Sequence, residues 1–389
     1  MSRSGRTRRP RTLWVSTSTS TQGGIATCVR TLAAAGLWDR WGVRHVATHR
    51  DGGTVAKART FAAGFGRVLA ELVVRRPDLL HVHASAAGSF VRKALVAWAA
   101  YALRVPVVLH VHSGRFHLFH DRAPRPVRAV IRATLERADV VIALGGLMRR
   151  RLARIAPGAR LVALPNPVAA APVTLRAAGS APHVVFLGRI WDKKGAFDLL
   201  EAWAKAVSDA PAGTRVTLAG DGEHDRARET ARDLGVAGSV TVHDWLSADG
   251  VAALLADADV LALPSENEGQ PMVVLEAMSR GLAVLATHVG GIPELVTHDV
   301  EGLLVPPHDV PALADALGVL LADAGRRRAL GDAALARARA EFAAEAVAAR
   351  IEELYHDVLA PAGPDRASRR GARSVASGAM SETPTPDRS

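Results

Sequence analysis

The chain has 389 residues, more than one hydrophobic core usually organises, so two domains are expected. Apolar residues make up 49% of it and aromatics only 4%, which leaves Ala, Val and Leu to build the cores, as in helices packed on parallel strands. A single cysteine, Cys28, excludes an internal disulfide and agrees with a reducing cytoplasm, while the formal charge of +11 directs attention to nucleic acids, anionic membranes and phosphorylated ligands.

Residues 1–10 read as a flexible basic tail. The opening MSRSGRTRRPRTL has the charge of a signal peptide, but no apolar core follows it. Thr12 to Ser16 predicts a strand, Gly23-Gly24 a loop, and Ile25 to Ala35 a helix stopped by Gly36. Strand, glycine-containing loop and helix in that order open a doubly wound sheet. Further strands are expected at Leu79 to His83, Val105 to His112 and Asp139 to Leu144, with helical segments between them. Phe90 to His112 is the most tempting membrane span. Arg92, Lys93, Arg104 and Pro106 make it a helix followed by a strand instead.

From Arg104 to Arg160 there are twelve arginines against three acids, Asp121, Glu136 and Asp139. The stretch lacks the aromatic stacking residues of single-strand binders and any zinc-finger pattern, so nucleic acid is not expected. A surface of anionic lipid fits it better; the alternative is that arginine is simply common in an Ala/Arg-rich chain. A cytoplasmic protein is expected, with peripheral contact at the inner face of the cell membrane.

The Pro-rich segment LVALPNPVAAAPV, within Leu161 to Leu175, carries no helical period and marks the interdomain link. The alternation then restarts. Strands are expected at His183 to Leu187, Arg215 to Ala219, Ser239 to His243, Asp259 to Leu263 and Ala283 to Thr287, with helices at Gly195 to Val207 and Pro271 to Arg280. Asp309 to Leu359 reads as helical, and residues 361–389 as disordered. The expected architecture is α/β: two Rossmann-like, doubly wound domains facing across a cleft. They would span 11–170 and 171–340, with a helix at about 341–359 packing back on the first.

The strongest chemical signal is PSENEGQPMVVLEAMSRGLAVLATHVGGIPE, Pro264 to Glu294. On one continuous helix Glu268 and Glu276 would point about 80° apart. Pro271 suits a helix start, however, so Glu268 falls in the loop after a buried strand and Glu276 inside the helix. Both can then reach a ligand at the strand's C-terminal end, and backbone N–H groups of Gly269, Gln270 and Met272 around Pro271 are free for an anion or a sugar hydroxyl. Taken singly, each glutamate is as well explained as an ordinary surface residue. In FLGRIWDKKG, Arg189 ends a strand and Lys194 precedes the Gly195 that opens a helix. Two cations at a helix N-terminus form a diphosphate clamp. Lys193 is the competing neighbour.

These residues resemble the signature of glycosyltransferase family 4, the glycosyl transferases group 1, which have the GT-B fold. The pattern P-S-x-x-E-G-x-P-x-x-x-L-E-A-M-x-x-G followed by G-G-x-x-E is matched at every position. The resemblance implies that Glu268 contacts the donor sugar, that Glu276 binds the ribose hydroxyls, and that Arg189 and Lys194 neutralise the leaving nucleoside diphosphate. It implies a retaining transfer. With cations in that role no metal or other cofactor is expected; the Asp257-Ala258-Asp259 pair leads into a buried strand and reads as structural.

Weaker signals complete the set. Gly23-Gly24 resembles the family's N-terminal glycine loop, though a ligand-free turn would look the same. His81 and His83, and His110 and His112, alternate along strands and so share a face; they could line a cleft or ligate a metal. The family has a His at the end of the Val105 to His112 strand, matched best by His112 before Ser113-Gly114, with His110 as runner-up. Asn166 matches a Pro-Asn turn, where Pro167 replaces the family's Gly. Gly220-Asp221-Gly222 resembles its Gly-Asp-Gly turn, and Trp245 and Leu246 fall where the base is bound, although a lone Trp is commonly core. The expected reaction moves a sugar from a nucleotide-sugar donor to a saccharide or lipid-linked acceptor. The rivals are a non-hydrolysing nucleotide-sugar epimerase of the same fold and a non-catalytic nucleotide-sugar-binding protein. An oxidoreductase is disfavoured, since no G-x-G-x-x-G follows the first strand.

Overall fold

The computed structural model describes residues 9–21, 23–173 and 179–360. The expected basic tail is described only at residues 9–10, and the expected disordered segment 361–389 lies outside the described residues.

The first half forms a six-stranded parallel sheet from β1 (Thr12–Ser16), β2 (Arg44–Ala47), β3 (Leu79–Ala84), β4 (Val107–Val111), β5 (Val140–Ala143) and β6 (Leu161–Ala163), in the order β2-β1-β3-β4-β5-β6. The second repeats the plan with β7 (His183–Leu187), β8 (Arg215–Ala219), β9 (Val240–His243), β10 (Val260–Leu263), β11 (Ala283–Thr287) and β12 (Gly302–Val305), in the order β12-β11-β10-β7-β8-β9. The central strand runs are buried and mostly apolar because helices cover both faces of each sheet. The order reverses beside β1 in one sheet and beside β7 in the other, and crevices at strand C-termini form at such points.

Several boundaries differ from expectation for local reasons. Pro106 cannot donate to a ladder, so β4 starts at Val107, and His112 lies one residue beyond the strand, its N–H bonded to Ala84 O at 2.8 Å. The helix after Glu268 runs only from Met272 to Met278: Pro271 caps it, and Gly281 at φ 76° ends the turn that follows. The link region opens with the short strand β6, which periodicity did not show. β2 also escaped notice, because its RHVA sequence is half exposed and offers no apolar run. The helical C-terminal stretch is divided. Asp309 and Asp323 accept hydrogen bonds from Ala312 N and Arg326 N and so start separate helices, Val310–Ala322 and Ala324–Arg337.

The last helix, Ala344–Leu359, buries Val347, Ile351, Leu354 and Tyr355 against Trp14, Val29, Val108 and Ile142 of the first sheet's layer. Tyr355 Oη accepts from Trp14 Nε1 at 3.0 Å and lies 2.5 Å from His81 Nδ1. The chain thus crosses between the two sheets twice. The crossings run side by side, through Val168 N to Phe342 O at 2.8 Å and Ala344 N to Val168 O at 2.9 Å.

A candidate active site in the interdomain cleft

A cleft of about 910 Å³ separates the two sheets. Gly23, Gly24 and His112 line it from the first half. Arg189, Lys194, Trp245, Leu246, Glu268, Gly269, Gln270, Pro271, Met272 and Glu276 line it from the second.

β7 and β10 are neighbours, so the loops after them meet. Gly195, at φ 72°, caps the helix Ala196–Ala206, and any Cβ there would overlap the Pro264 carbonyl. Glu266 N bonds to Lys193 O at 3.1 Å. This close approach brings Lys194 Nζ to 2.5 Å from Glu268 Oε1, which also accepts from Ser265 Oγ at 2.9 Å. The Lys194 side chain is 29% exposed and that of Glu268 only 9%. The cation expected in the diphosphate clamp is therefore held by the carboxylate expected to meet the sugar, a pairing that sequence spacing did not reveal. Lys193 does not line the cleft; its ammonium lies 5.7 Å from the Trp191 ring centre.

Arg189 stays at the cleft wall with its guanidinium over Trp191 at 4.9 Å and Nε 3.8 Å from Asp221. Glu276 faces the same space from the helix Met272–Met278. Burial raises its pKa above the ordinary carboxyl value, against the pull of Arg280 and Arg30.

Two other expectations change. Gly222 does not line the cleft: it bridges to Ile190, and a Cβ there would overlap the Ile190 carbonyl, so Gly220 is the member of that turn on the wall. Gln270 lines the cleft, but its side-chain carbonyl accepts from Asn166 N, and Asn166 Nδ2 donates to Gln270 O at 3.1 Å. Gln270 thus ties the link segment to the glutamate loop. Trp245, by contrast, is not core; it is 47% exposed at the cleft edge.

The four histidines share one face of β3 and β4 as a stacked group, with ring centres 4.4 Å apart for His81 and His83 and 4.1 Å for His110 and His112. Of these four, only His112 reaches the cleft. His83 Nδ1 lies 3.0 Å from His112 Nε2 and fixes that ring. Burial pushes the pKa of His112 down to about 3, so it meets a ligand as neutral imidazole. His81, His83 and His110 are buried, and burial depresses their pKa values too. Among the described residues, the groups close enough to share an ion are His81-His83-His110, which is buried, and Cys28-His83-His112, of which only His112 lines the cleft. Asp257 and Asp259 lie just before the N-terminal end of β10, at the opposite end of that strand from the glutamate loop, bonded to Arg215 at 2.7 Å and to His183 N at 2.8 Å.

Sequence reading missed Thr27, Arg30 and Thr31, which line the cleft from the helix Gly24–Ala34. Their i, i+3, i+4 spacing as a polar stripe was the available signal. Arg115 and Arg280 also line the cleft, and neither carried one.

The chain as a whole is similar to known proteins. Residues 181–323 match the family described as glycosyl transferases group 1, and residues 23–171 match glycosyltransferase family 4. The chain is 31% identical over 332 residues to a D-inositol 3-phosphate glycosyltransferase of Nocardia farcinica, covering 77% of this chain and 72% of that one. It is 32% identical over 246 residues to the GDP-mannose-dependent alpha-(1-6)-phosphatidylinositol monomannoside mannosyltransferase of Mycobacterium tuberculosis, covering 58% of this chain and 64% of the relative. Its fold is shared with sucrose-phosphate synthase from Thermosynechococcus elongatus at a TM-score of 0.75 and 22% identity, over 90% of this chain and all of the other. The chain belongs to glycosyltransferase family 4 and is a glycosyltransferase of GT-B fold.

Proposed function

We propose that the protein transfers a sugar from a nucleoside diphosphate sugar to a hydroxyl of a saccharide or lipid-linked acceptor, with retention of anomeric configuration and without a metal. The observation that carries this is the convergence of Arg189, Lys194, Glu268 and Glu276 on one cleft at the C-terminal ends of β7 and β10. Glycosyl transfer breaks the bond to a diphosphate, and the developing charge needs fixed cations. Lys194 supplies one, exchanging Glu268 for phosphate oxygen as the donor enters, and Arg189 supplies the second from its perch on Trp191. Glu268, released, accepts sugar hydroxyls, and Glu276 takes the ribose. The Gly24–Ala34 helix has no side-chain cap, so its first N–H groups are free for phosphate or acceptor oxygen. His112, neutral, accepts or donates one hydrogen bond at the reacting sugar. The attacking hydroxyl approaches the face that the diphosphate leaves, and a leaving phosphate oxygen takes its proton.

The acceptor reading rests on the surface of the first half. Val91, Leu95 and Trp98 form an i, i+4, i+7 stripe on helix Gly88–Ala102, at 52%, 49% and 37% exposure. Val127 and Val130 are exposed on the neighbouring helix Arg125–Arg137, among Arg125, Arg128 and Arg132. Apolar side chains ringed by arginine suit an anionic membrane, where a lipid-linked acceptor would lie and where cell-envelope or exopolysaccharide assembly would place the enzyme. No described helix is long and apolar enough to cross one.

A thermal-shift screen over UDP-, GDP- and ADP-sugars, followed by proton NMR of the product's anomeric signal, tests the reading. Stabilisation by one donor and a product of the donor's configuration is expected. Inverted product, or a new sugar formed from donor alone, would overturn it.

A further inference from the structure

The helix Gly145–Ile155 of the first half begins without a side-chain cap and with no acid in its first turn. Four N–H groups at such an end need partners. One comes from the other half of the molecule: Glu294 Oε1 accepts from Leu147 N at 2.5 Å. The helix start is shaped for it. Gly145 sits at φ 82°, and a Cβ there would overlap Glu294 Oε2; a Cβ at Gly146 would lie 3.2 Å from Oε1. Glu294 thus caps a helix across the cleft, where the carboxylate charge also meets the positive end of the helix dipole.

Both ends of this contact lead to the reacting groups. On one side, Gly291 N bonds to Glu268 O at 3.1 Å, and Gly290 and Gly291 press so closely on the Glu268 and Gly269 carbonyls that a Cβ at either would overlap them. Arg337 Nη2 holds the Glu294 carbonyl at 3.0 Å. On the other side, the same helix sends Arg151 Nη1 to Gly114 O at 3.2 Å, two residues from His112. The circuit closes where Gly114 meets Gly269; a Cβ on Gly114 would lie 2.6 Å from the Gly269 Cα.

We propose that Glu294 is a positioning residue: its carboxylate latches the helix Gly145–Ile155 and so sets the His112–Gly114 loop against the Glu268–Gly269 loop in the closed cleft. This rests on the transferase reading for its consequence, although the latch itself does not. Gly145, Gly146, Leu147 and Glu294 do not line the cleft, so the residue acts only by fixing one domain against the other.

The test uses the full chain and Glu294→Ala, Glu294→Gln and Gly145→Ala, each checked by circular dichroism. Small-angle X-ray scattering in saturating UDP or GDP reads closure directly. Glu294→Ala and Gly145→Ala should give a larger radius of gyration than the parent, and Glu294→Gln, which keeps an accepting oxygen, an intermediate one. In turnover, losing a charged hydrogen bond that forms only on closure should lower kcat about tenfold, with donor KM changed by less than about threefold. It should also raise the share of donor lost to water. Glu294→Ala with the scattering, kcat and hydrolysis share of the parent would overturn the proposal. If Glu294→Ala fails to fold, Gly145→Ala and Glu294→Gln decide the question by the same readouts. A parent that transfers no sugar from any donor would sink the transferase reading, while scattering would still decide the latch.

Discussion

Replacing Lys194 with alanine separates the two jobs that its ammonium does. It pairs with Glu268 at 2.5 Å, and it faces the space where a leaving diphosphate would lie. The first job is structural. Glu268 is only 9% exposed and would keep just the Ser265 hydroxyl as partner, so the variant should lose about 1–3 kcal/mol of stability. The second is catalytic. Removing one fixed charge from a developing anion costs about 100–1000-fold in kcat, or roughly 3–4 kcal/mol of transition-state energy. A second substitution distinguishes them. In Lys194→Ala/Glu268→Gln no buried carboxylate is left unpaired, so stability should return toward the parent value while turnover stays low. Urea denaturation gives the first quantity, and initial rates at saturating donor give the second. If Lys194→Ala turns over within about threefold of the parent, the diphosphate role is wrong. If the double variant recovers no stability, the ion pair is not what Glu268 depends on.

Glu276 has a pKa raised by burial, so the folded state binds its proton more tightly than the unfolded chain does. Stability therefore falls as pH rises from the ordinary glutamate value through the raised one, and Glu276→Gln should raise the melting temperature at neutral pH. Ribose hydroxyls favour the carboxylate, so calorimetric nucleotide affinity should weaken as pH falls through that raised value, and the Gln variant should lose this acid limb along with most of the affinity. Trp245→Ala, at an exposed cleft position, should weaken nucleotide binding about tenfold and leave the unfolding midpoint in place; a shifted midpoint with unchanged affinity would make it a core residue. Tyr355→Phe leaves Trp14 Nε1 and His81 Nδ1 without their shared partner and should cost about 1–3 kcal/mol in urea denaturation, with donor affinity intact.

Much of the fold was legible because its signals are local. Apolar runs of four to six residues alternating with helical periods gave most of the strands of both sheets. What escaped was weakly patterned or very short: the half-exposed RHVA of β2, β6 inside a proline-rich link, and the four-residue GLLV of β12. The glutamate loop was readable for a similar reason, since Pro271, Gly281 and the Gly290-Gly291 pair constrain their own backbone wherever they stand. The cleft-lining stripe Thr27, Arg30 and Thr31 was readable in principle but held nothing that set it apart from an ordinary polar helix face.

The sequence by itself determined two doubly wound halves, a loop bearing Glu268 ahead of a helix bearing Glu276, and two cations beside the start of another helix. Periodicity, proline and glycine act within a few residues and need no neighbour. Only the tertiary structure decided that Lys194 is paired with Glu268, that Gln270 is spent on Asn166, that Trp245 is exposed, and that Glu294 caps a helix in the other half. Each of these depends on which strands lie side by side and how two domains meet, and the partners stand tens to hundreds of residues apart, beyond the reach of any local pattern.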